Sequence, residues 1–503
     1  MSIDTETAEL DEMGFPSAPI ESEPEKLRQR RNNDYDPTTV RRPPTRSEAF
    51  ADEDGLFDIF DEEKPSLQDM YIDVATLNKL KATNGLKSIS TFSGGGGSVT
   101  GFAWAGWNEL ASVEFVESAR ETLALNYTST SISPVQVKEI VKELEAAGLP
   151  FTVSYFKDKT VKGKKIIGGV DWESTIADAW EKEVFSAFTQ FRSEATTQTL
   201  ERFTEPGKMV LWGDDVRSLD GVALIRFLGI EPGELDCFEG SPPCKSFSMA
   251  GLREDGWGRK LKYSDERDQR TDDLFDEYIR LLRDIRPKSF IAENVAGILM
   301  GTAIEQTVNP MIKEFEELGY NVSVLGMNSA NYGVPQSRPR AIFQGIRTDQ
   351  RDKRGRSILP TWPDRNPHEY TCQDALDAAG PNDEEALKFA NLEKYEIGKM
   401  WKELKHGSAP SNKAYQLIRC HPKRPVPTIA ATSAGNTAAA GPTHPHECRK
   451  FTINEYRWLF SFPTDYRFAG NIEQQGERMG RSVTPYMMKQ IAETLAKNLK
   501  KAV

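Results

Sequence analysis

The chain has 503 residues, enough for two or three domains, and its 38% hydrophobic and 28% charged content is that of an ordinary, rather polar globular protein. A formal net charge of -12 argues against a uniformly basic coat, but residues 1–70 carry 19 Asp/Glu and 8 Lys/Arg, a net of -11, which leaves the remainder near -1 and able to present one basic cleft. Five widely spaced cysteines without a C-x-x-C argue against a disulfide framework and a zinc ribbon; no apolar run is long enough to span a bilayer, and no apolar secretory core opens the chain.

Residues 1–84 read as an acidic, disordered arm, interrupted by the apolar island Leu56-Phe57-Asp58-Ile59-Phe60, which either packs on the domain surface or docks a partner. Leu86 to Phe92 predicts a strand, followed by Ser93-Gly94-Gly95-Gly96-Gly97-Ser98, a helical stretch to Gly106 and a second strand from Glu109 to Phe115. Residues 127–208 interrupt the pattern, with helices expected at Lys138–Ala147 and Ser174–Arg202 around a basic, Gly-containing segment, Val161–Val170. Strands resume at Met209–Trp212, Leu235–Phe238, Ser289–Ala292, Val322–Gly326 and Arg340–Gly345, with helices at Thr271–Ile285 and Thr302–Leu318. The expected fold is α/β, a doubly wound, mostly parallel sheet of Rossmann-like type spanning 85–346. Residues 347–425 lose periodicity and are mildly basic, with 15 Lys/Arg against 12 Asp/Glu. Residues 426–503 return to the main domain and end in an amphipathic helix, Met487–Leu499; no internal repeat is visible.

Four segments carry chemistry. A strand, a glycine run and a helix form a pocket in which only Gly lets a ligand approach the backbone, and Glu114 stands about twenty residues on, where a carboxylate bonds ribose hydroxyls. The combination favours a nucleoside cofactor over a merely flexible turn. In Asp236-Cys237-Phe238-Glu239-Gly240-Ser241-Pro242-Pro243-Cys244, a strand ends and a rigid Pro-Pro lead presents Cys244 at the carboxyl edge, where doubly wound sheets bind ligands; Cys237 fits an inert core cysteine better. Glu293-Asn294-Val295 brings a second carboxylate to that edge. Asn331 to Arg340 is a loop entering a strand, with Arg338 and Arg340 on one face; a solvated or phosphate-binding loop is the bland account.

Taken in order, these segments resemble the motifs of the cytosine-5 DNA methyltransferase family. The resemblance starts at Phe92-Ser93-Gly94 and runs through Pro243-Cys244, Glu293-Asn294-Val295 and Gln336-x-Arg338-x-Arg340. It continues through Arg449-Lys450-Phe451-Thr452-x-x-Glu455, Phe462-Pro463 and Gly480-Arg481-Ser482-Val483-x-Pro485, covering about 86 to 499 apart from two variable segments. It implies that double-stranded DNA is the partner and that the target cytosine is flipped into the pocket. It further implies that Cys244 adds at carbon 6, Glu293 bonds ring nitrogen 3 and the amino group, Arg340 holds the ring carbonyl with Arg338 nearby, and carbon 5 takes a methyl group from S-adenosylmethionine. The donor is implied to lie over Phe92, Ser93, Gly94, Gly96 and Gly97, with Glu114 on the ribose, Phe115 on the adenine, and Pro243, Leu274 and Ser482 completing the wall. Of the doublet Asp214-Asp215, Asp215 is the expected acceptor for the adenine amino group, because Val216 follows it. Residues 347–425 take the place of the target-recognition domain, and Ser248–Arg270 that of a loop closing on DNA. The expected location is intracellular and cytoplasmic, on nucleoid or phage DNA.

Three features depart from the family: the 127–208 interruption, Lys245 after the nucleophile where Gln is common, and Arg481 where the family carries Asn. A cation beside Cys244 favours thiolate. Arg481 beside a sulfonium needs an anion, which a DNA phosphate, Glu477 or a carboxylated S-adenosylmethionine would supply; the last would yield 5-carboxymethylcytosine. The alternatives outside this activity are methylation of tRNA and a DNA-binding homologue without catalysis.

Overall fold

The computed structural model describes residues 20–21, 64–148, 159–161, 164–167, 170–171, 183–205, 207–243, 261–262, 268–269, 274–300, 302–410, 417–431, 433 and 441–502. Cys244, Lys245 and most of the expected loop Ser248–Arg270 lie outside these residues, as does the Leu56–Phe60 island.

Nine strands form the central sheet: β1 (Ile20–Glu21), β2 (Lys87–Thr91), β3 (Asn108–Val113), β4 (Ser129–Ile132), β5 (Met209–Trp212), β6 (Cys237–Gly240), β7 (Ser289–Val295), β8 (Tyr320–Asn328) and β9 (Pro339–Arg347). Their order is β1-β8-β9-β7-β6-β2-β3-β5-β4. The six strands from β7 to β4 pair in parallel, whereas β9 runs antiparallel to both β7 and β8. This is the expected doubly wound, mostly parallel sheet; Met209–Trp212 is an apolar run, while Lys87–Thr91 and Asn108–Val113 bury small polar residues among their apolar ones. The parallel strands all end at one edge, where Thr91, Val113, Trp212 and Gly240 stand side by side and Ala292, not the strand-terminal Val295, is the partner of Gly240.

One stretch read as arm and one read as an insertion both contribute to the body. Residues 64–84 fall within the expected arm but form helices Leu67–Met70 and Val74–Leu80, with Leu67, Tyr71 and Leu77 buried. Tyr71 stacks on Trp458 and donates to the Gly333 carbonyl at 3.0 Å. Leu67, Tyr71 and Leu77 anchor this short segment through apolar burial. The 127–208 interruption, in turn, supplies β4 and the helices Pro134–Ala146 and Glu183–Phe203. Ser-Thr-Ser-Ile gives little hydrophobic signal, yet β4 pairs in register with β5 and extends the sheet.

At both ends of the segment expected at 347–425, contacts run across its bounds. Residues 347–362 remain on the main body: Ile358 is buried in its core, Trp362 donates to Ser323 and Asn498 donates to Thr361. Conversely, Gly441–Thr443 pairs in parallel with Leu417–Arg419, and Trp401 donates to Thr443 at 3.0 Å. The C-terminal helix Pro485–Leu499 packs so closely on Gly97–Trp104 that a methyl on Gly101 would stand 2.6 Å from Met488 Cβ.

Candidate active site

The glycine run lies at the β2 end of the active edge. Phe92 has φ 55° and Gly94 φ 54°, a conformation that is costly for Phe and marks the turn as functionally constrained. Gly95, Gly96 and Gly97 are explained by packing: a methyl on Gly96 would meet Tyr466 Oη at 2.5 Å, and one on Gly97 the Val483 carbonyl at 2.0 Å. A methyl on Gly94 would meet no atom within 4 Å, so this glycine presents open backbone to a ligand. Tyr466 Oη also donates to the Gly95 carbonyl at 3.1 Å, which ties the run to the C-terminal segment.

Glu114 is buried at the end of β3 and accepts from Gly94 N at 2.7 Å and Val116 N at 2.8 Å. Each oxygen keeps a lone pair for a ribose hydroxyl. Phe115 adjoins it, and Arg120 Nη1 donates to the carbonyls of both residues. Phe92 packs against the cluster that buries Val216 and Leu274. Ser482 is buried and donates to the Arg478 carbonyl; its Oγ lies 3.1 Å from where a Gly95 methyl would stand.

The two aspartates of the doublet differ in their bonding. Asp215 caps the short helix Val216–Ser218, accepting from Arg217 N, and pairs with Arg217 Nη1 at 2.6 Å. Asp214 is buried; its Oδ1 accepts from Asp215 N, while Oδ2 has no hydrogen-bond partner among the described residues. Burial pushes its carboxyl up to about 7. The carboxylate with an unmet oxygen is therefore Asp214, and Asp215 is already occupied. Together with open Gly94 and the ribose-competent Glu114, this edge fits a nucleoside donor.

The target side lies at the ends of β6 and β7. Glu293 and Arg340 form an ion pair, Nε to Oε1 2.7 Å, with side chains only 10% and 13% exposed. Asn294 Nδ2 donates to the Pro242 carbonyl at 3.2 Å, which fixes the lead two residues before Cys244. Pro243 follows, partly buried, as the last described residue before Cys244. Arg338 does not share the role of Arg340. It is 2% exposed, donates to the carbonyls of Ile429 and Gly480 at 3.0 and 2.7 Å, and thereby braces the C-terminal motif. Gln336 braces the same region through Leu459 and Ile429. The Arg449 to Glu455 motif is likewise structural: Arg449 grips Glu455 through two bonds of 2.8 and 2.7 Å, and Glu455 closes a capping box with Thr452.

Glu239 carries a signal that the sequence reading passed over. It is 1% exposed, faces Ser90 and Ile291 in register, and burial holds its carboxyl well above the usual range. Arg481, 42% exposed, pairs with Glu477 through Nε at 2.9 Å and Nη2 at 2.8 Å, so Glu477 is an anion that this cation has at hand. Among the described residues no cluster could hold a metal ion, and no helix is long and apolar enough to cross a membrane.

A family model described as C-5 cytosine-specific DNA methylase matches residues 214–497, more than half of the chain. The putative type II methyltransferase M.MjaORF1200P of Methanocaldococcus jannaschii is 27% identical over 422 residues, 82% of this chain and 99% of that protein. The type II methyltransferase M.DdeI of Desulfomicrobium norvegicum is 28% identical over 353 residues, covering 58% of this chain and 79% of that one. A solved structure of a putative DNA modification methyltransferase encoded within a prophage (E. coli) is 18% identical with a TM-score of 0.49, over 82% of this chain and 99% of that chain.

Proposed function

The chain belongs to the C-5 cytosine-specific DNA methylase family and is a DNA (cytosine-5-)-methyltransferase, and from that premise we propose how its own residues divide the work on a cytosine flipped out of duplex DNA. The Cys244 thiolate adds to carbon 6, breaking the 5,6 double bond and making carbon 5 nucleophilic. Glu293 bonds ring nitrogen 3 and the amino group, stabilising the charge that develops in the ring, and Arg340 holds the ring carbonyl. The donor, S-adenosylmethionine, supplies the methyl group that carbon 5 takes. A base then takes the carbon-5 proton, the electrons of that carbon–hydrogen bond reform the 5,6 double bond, and the carbon 6–sulfur bond breaks with its electrons on sulfur, which releases the Cys244 thiolate. Glu114 and Asp214 hold the ribose and adenine ends of the donor. The single observation that carries this reading is the Glu293–Arg340 pair beside the Asn294 tether to Pro242, which gathers an acid, a cation and the lead of the nucleophile at one edge.

The Arg481–Glu477 pair favours the unmodified donor: the anion that a carboxylated donor would bring is already supplied by the protein. The naming of relatives as type II methyltransferases supports a place in restriction-modification. The small domain, running into the Gly441–Thr443 strand, is the proposed reader of DNA sequence. The test is covalent trapping on a duplex carrying 5-fluorocytosine, which cannot lose its carbon-5 substituent. A stable adduct with the wild type and none with Cys244→Ala is expected; an adduct that survives the substitution removes Cys244 from its role. Mass spectrometry of nucleosides should find 5-methylcytosine as the product.

A further inference from the structure

Arg478, on the helix Ile472–Arg481, is 2% exposed and has no role in the reading above. Its Nε has no hydrogen-bond partner among the described residues, and neither has Nη2, which lies 3.1 Å from Glu477 Oε2 without hydrogen-bond geometry. Glu477 is shared, since Arg481 reaches its other oxygen through two nitrogens. A guanidinium stays charged, and burying its donors unmet costs free energy that a matching acceptor would return. The two unmet nitrogens matter as a pair. Nε–H and Nη2–H point the same way along one edge of the guanidinium, and that edge grips a carboxylate through two parallel bonds.

The position of Arg478 selects among anions. A methyl on Gly95 would stand 3.2 Å from Arg478 Cβ, so this side chain starts directly behind the glycine run on which the donor is proposed to lie. The reaction brings two kinds of anion to this edge: DNA phosphates and the α-carboxylate of the donor. A phosphate stays on the duplex backbone and does not reach a side chain 2% exposed. A donor seated against the run carries its α-carboxylate inside the protein. We infer that Arg478 anchors the α-carboxylate of the bound donor through its Nε and Nη2. The inference rests on S-adenosylmethionine being the donor, and it deepens that reading by naming the residue that recognises the amino-acid end.

The test is calorimetric titration of the full chain with S-adenosylhomocysteine and with its decarboxylated counterpart, 5′-deoxy-5′-(3-aminopropylthio)adenosine. Any second carboxylate on a transferred carbon is absent from both ligands, so only the α-carboxylate is varied. The wild type should prefer the carboxylated ligand by roughly 10- to 100-fold. Arg478→Gln should lose that preference by weakening the carboxylated ligand alone, and Arg478→Lys should keep part of it. Comparable affinity of the wild type for both ligands overturns the inference, as does equal weakening of both by Arg478→Gln. Should either variant fail to fold, the wild-type ratio still decides. Failure of the wild type to bind either ligand counts against the donor reading itself.

Discussion

The proposed donor side and the proposed target side of the sheet edge are built by different means. On the donor side the main chain does the holding: Glu114 accepts two backbone N–H groups, and Gly96 and Gly97 are pressed against Tyr466 and Val483. On the target side, side chains hold side chains: Glu293 with Arg340, and Asn294 with the Pro242 carbonyl. A cradle set by the backbone is preformed and intolerant of added volume. A pair of side chains can exchange one partner for a base, so the first region preorganises and the second responds.

The sharpest way to break this contrast is to substitute the target-side acid. Glu293→Gln should lower single-turnover methylation about 100- to 1,000-fold, because it removes stabilisation made only as charge develops. Titration with S-adenosylhomocysteine should show nearly unchanged donor binding. A parallel loss of donor affinity would mean that the two sides are one unit.

The two arginines of one loop provide the next test. Arg338 spans two backbone carbonyls inside the protein, so Arg338→Met should cost about 3 kcal/mol of stability in chemical denaturation, the order expected for losing charged hydrogen bonds under burial. Arg340→Met should leave the denaturation midpoint close to that of the wild type and lower turnover instead. Equal destabilisation by both would place Arg340 in the framework as well.

Five of the six parallel strands and the order of the motifs were legible in the sequence, because short segments with apolar or β-branched residues that end near Gly or an acid leave a local trace. Ser129–Ile132 left none: its four residues become a strand through pairing with Met209–Trp212, a partner far along the chain. Leu67, Tyr71 and Leu77 were grouped with the acidic residues that precede them, although their own segment, 64–84, carries three Lys against two Asp. Within the site, Glu293 and Arg340 could be named from their motifs. The separation of Arg338 from Arg340, and of Asp214 from Asp215, depends on which side chain is already bonded, and spacing does not encode that. Nor does it encode the burial of Glu239 and Arg478, whose charges on a sequence line suggest surface.

Burial predicts a smaller, pH-dependent effect at Glu109, on the donor-side strand β3. Its carboxyl is 2% exposed and is pushed from 4.5 up to about 7, mainly by desolvation, while Ser88 donates to it at 2.7 Å and opposes the shift. The folded chain therefore holds a proton that the unfolded chain releases between pH 4.5 and about 7. The stability present below 4.5 is lost as pH rises through that window. Glu109→Gln, which keeps shape without the charge, should gain about 3 kcal/mol over the wild type at pH 8 and almost nothing at pH 4, measured by urea denaturation. A constant difference across pH would show that the carboxyl does not titrate in the folded protein.

The last test separates neighbours. Asp214 offers Oδ1 to the Asp215 N–H and leaves Oδ2 unmet, whereas both oxygens of Asp215 are engaged. Asp214→Asn must turn an amide nitrogen toward one of two donors, either the backbone N–H or the adenine amino group, so one of these contacts becomes repulsive. Affinity for S-adenosylhomocysteine should fall about tenfold, equivalent to about 1.4 kcal/mol. Because the carboxyl of Asp214 is pushed up to about 7, the wild type should bind more tightly as pH rises through 7, when Oδ2 becomes an acceptor only, and this rise should vanish in the variant. Asp215→Asn disturbs a cap and an ion pair, and should cost about 1 kcal/mol of stability while leaving donor affinity unchanged. The reverse pattern, with donor affinity following Asp215 and stability following Asp214, would restore the assignment that the apolar neighbour Val216 suggests.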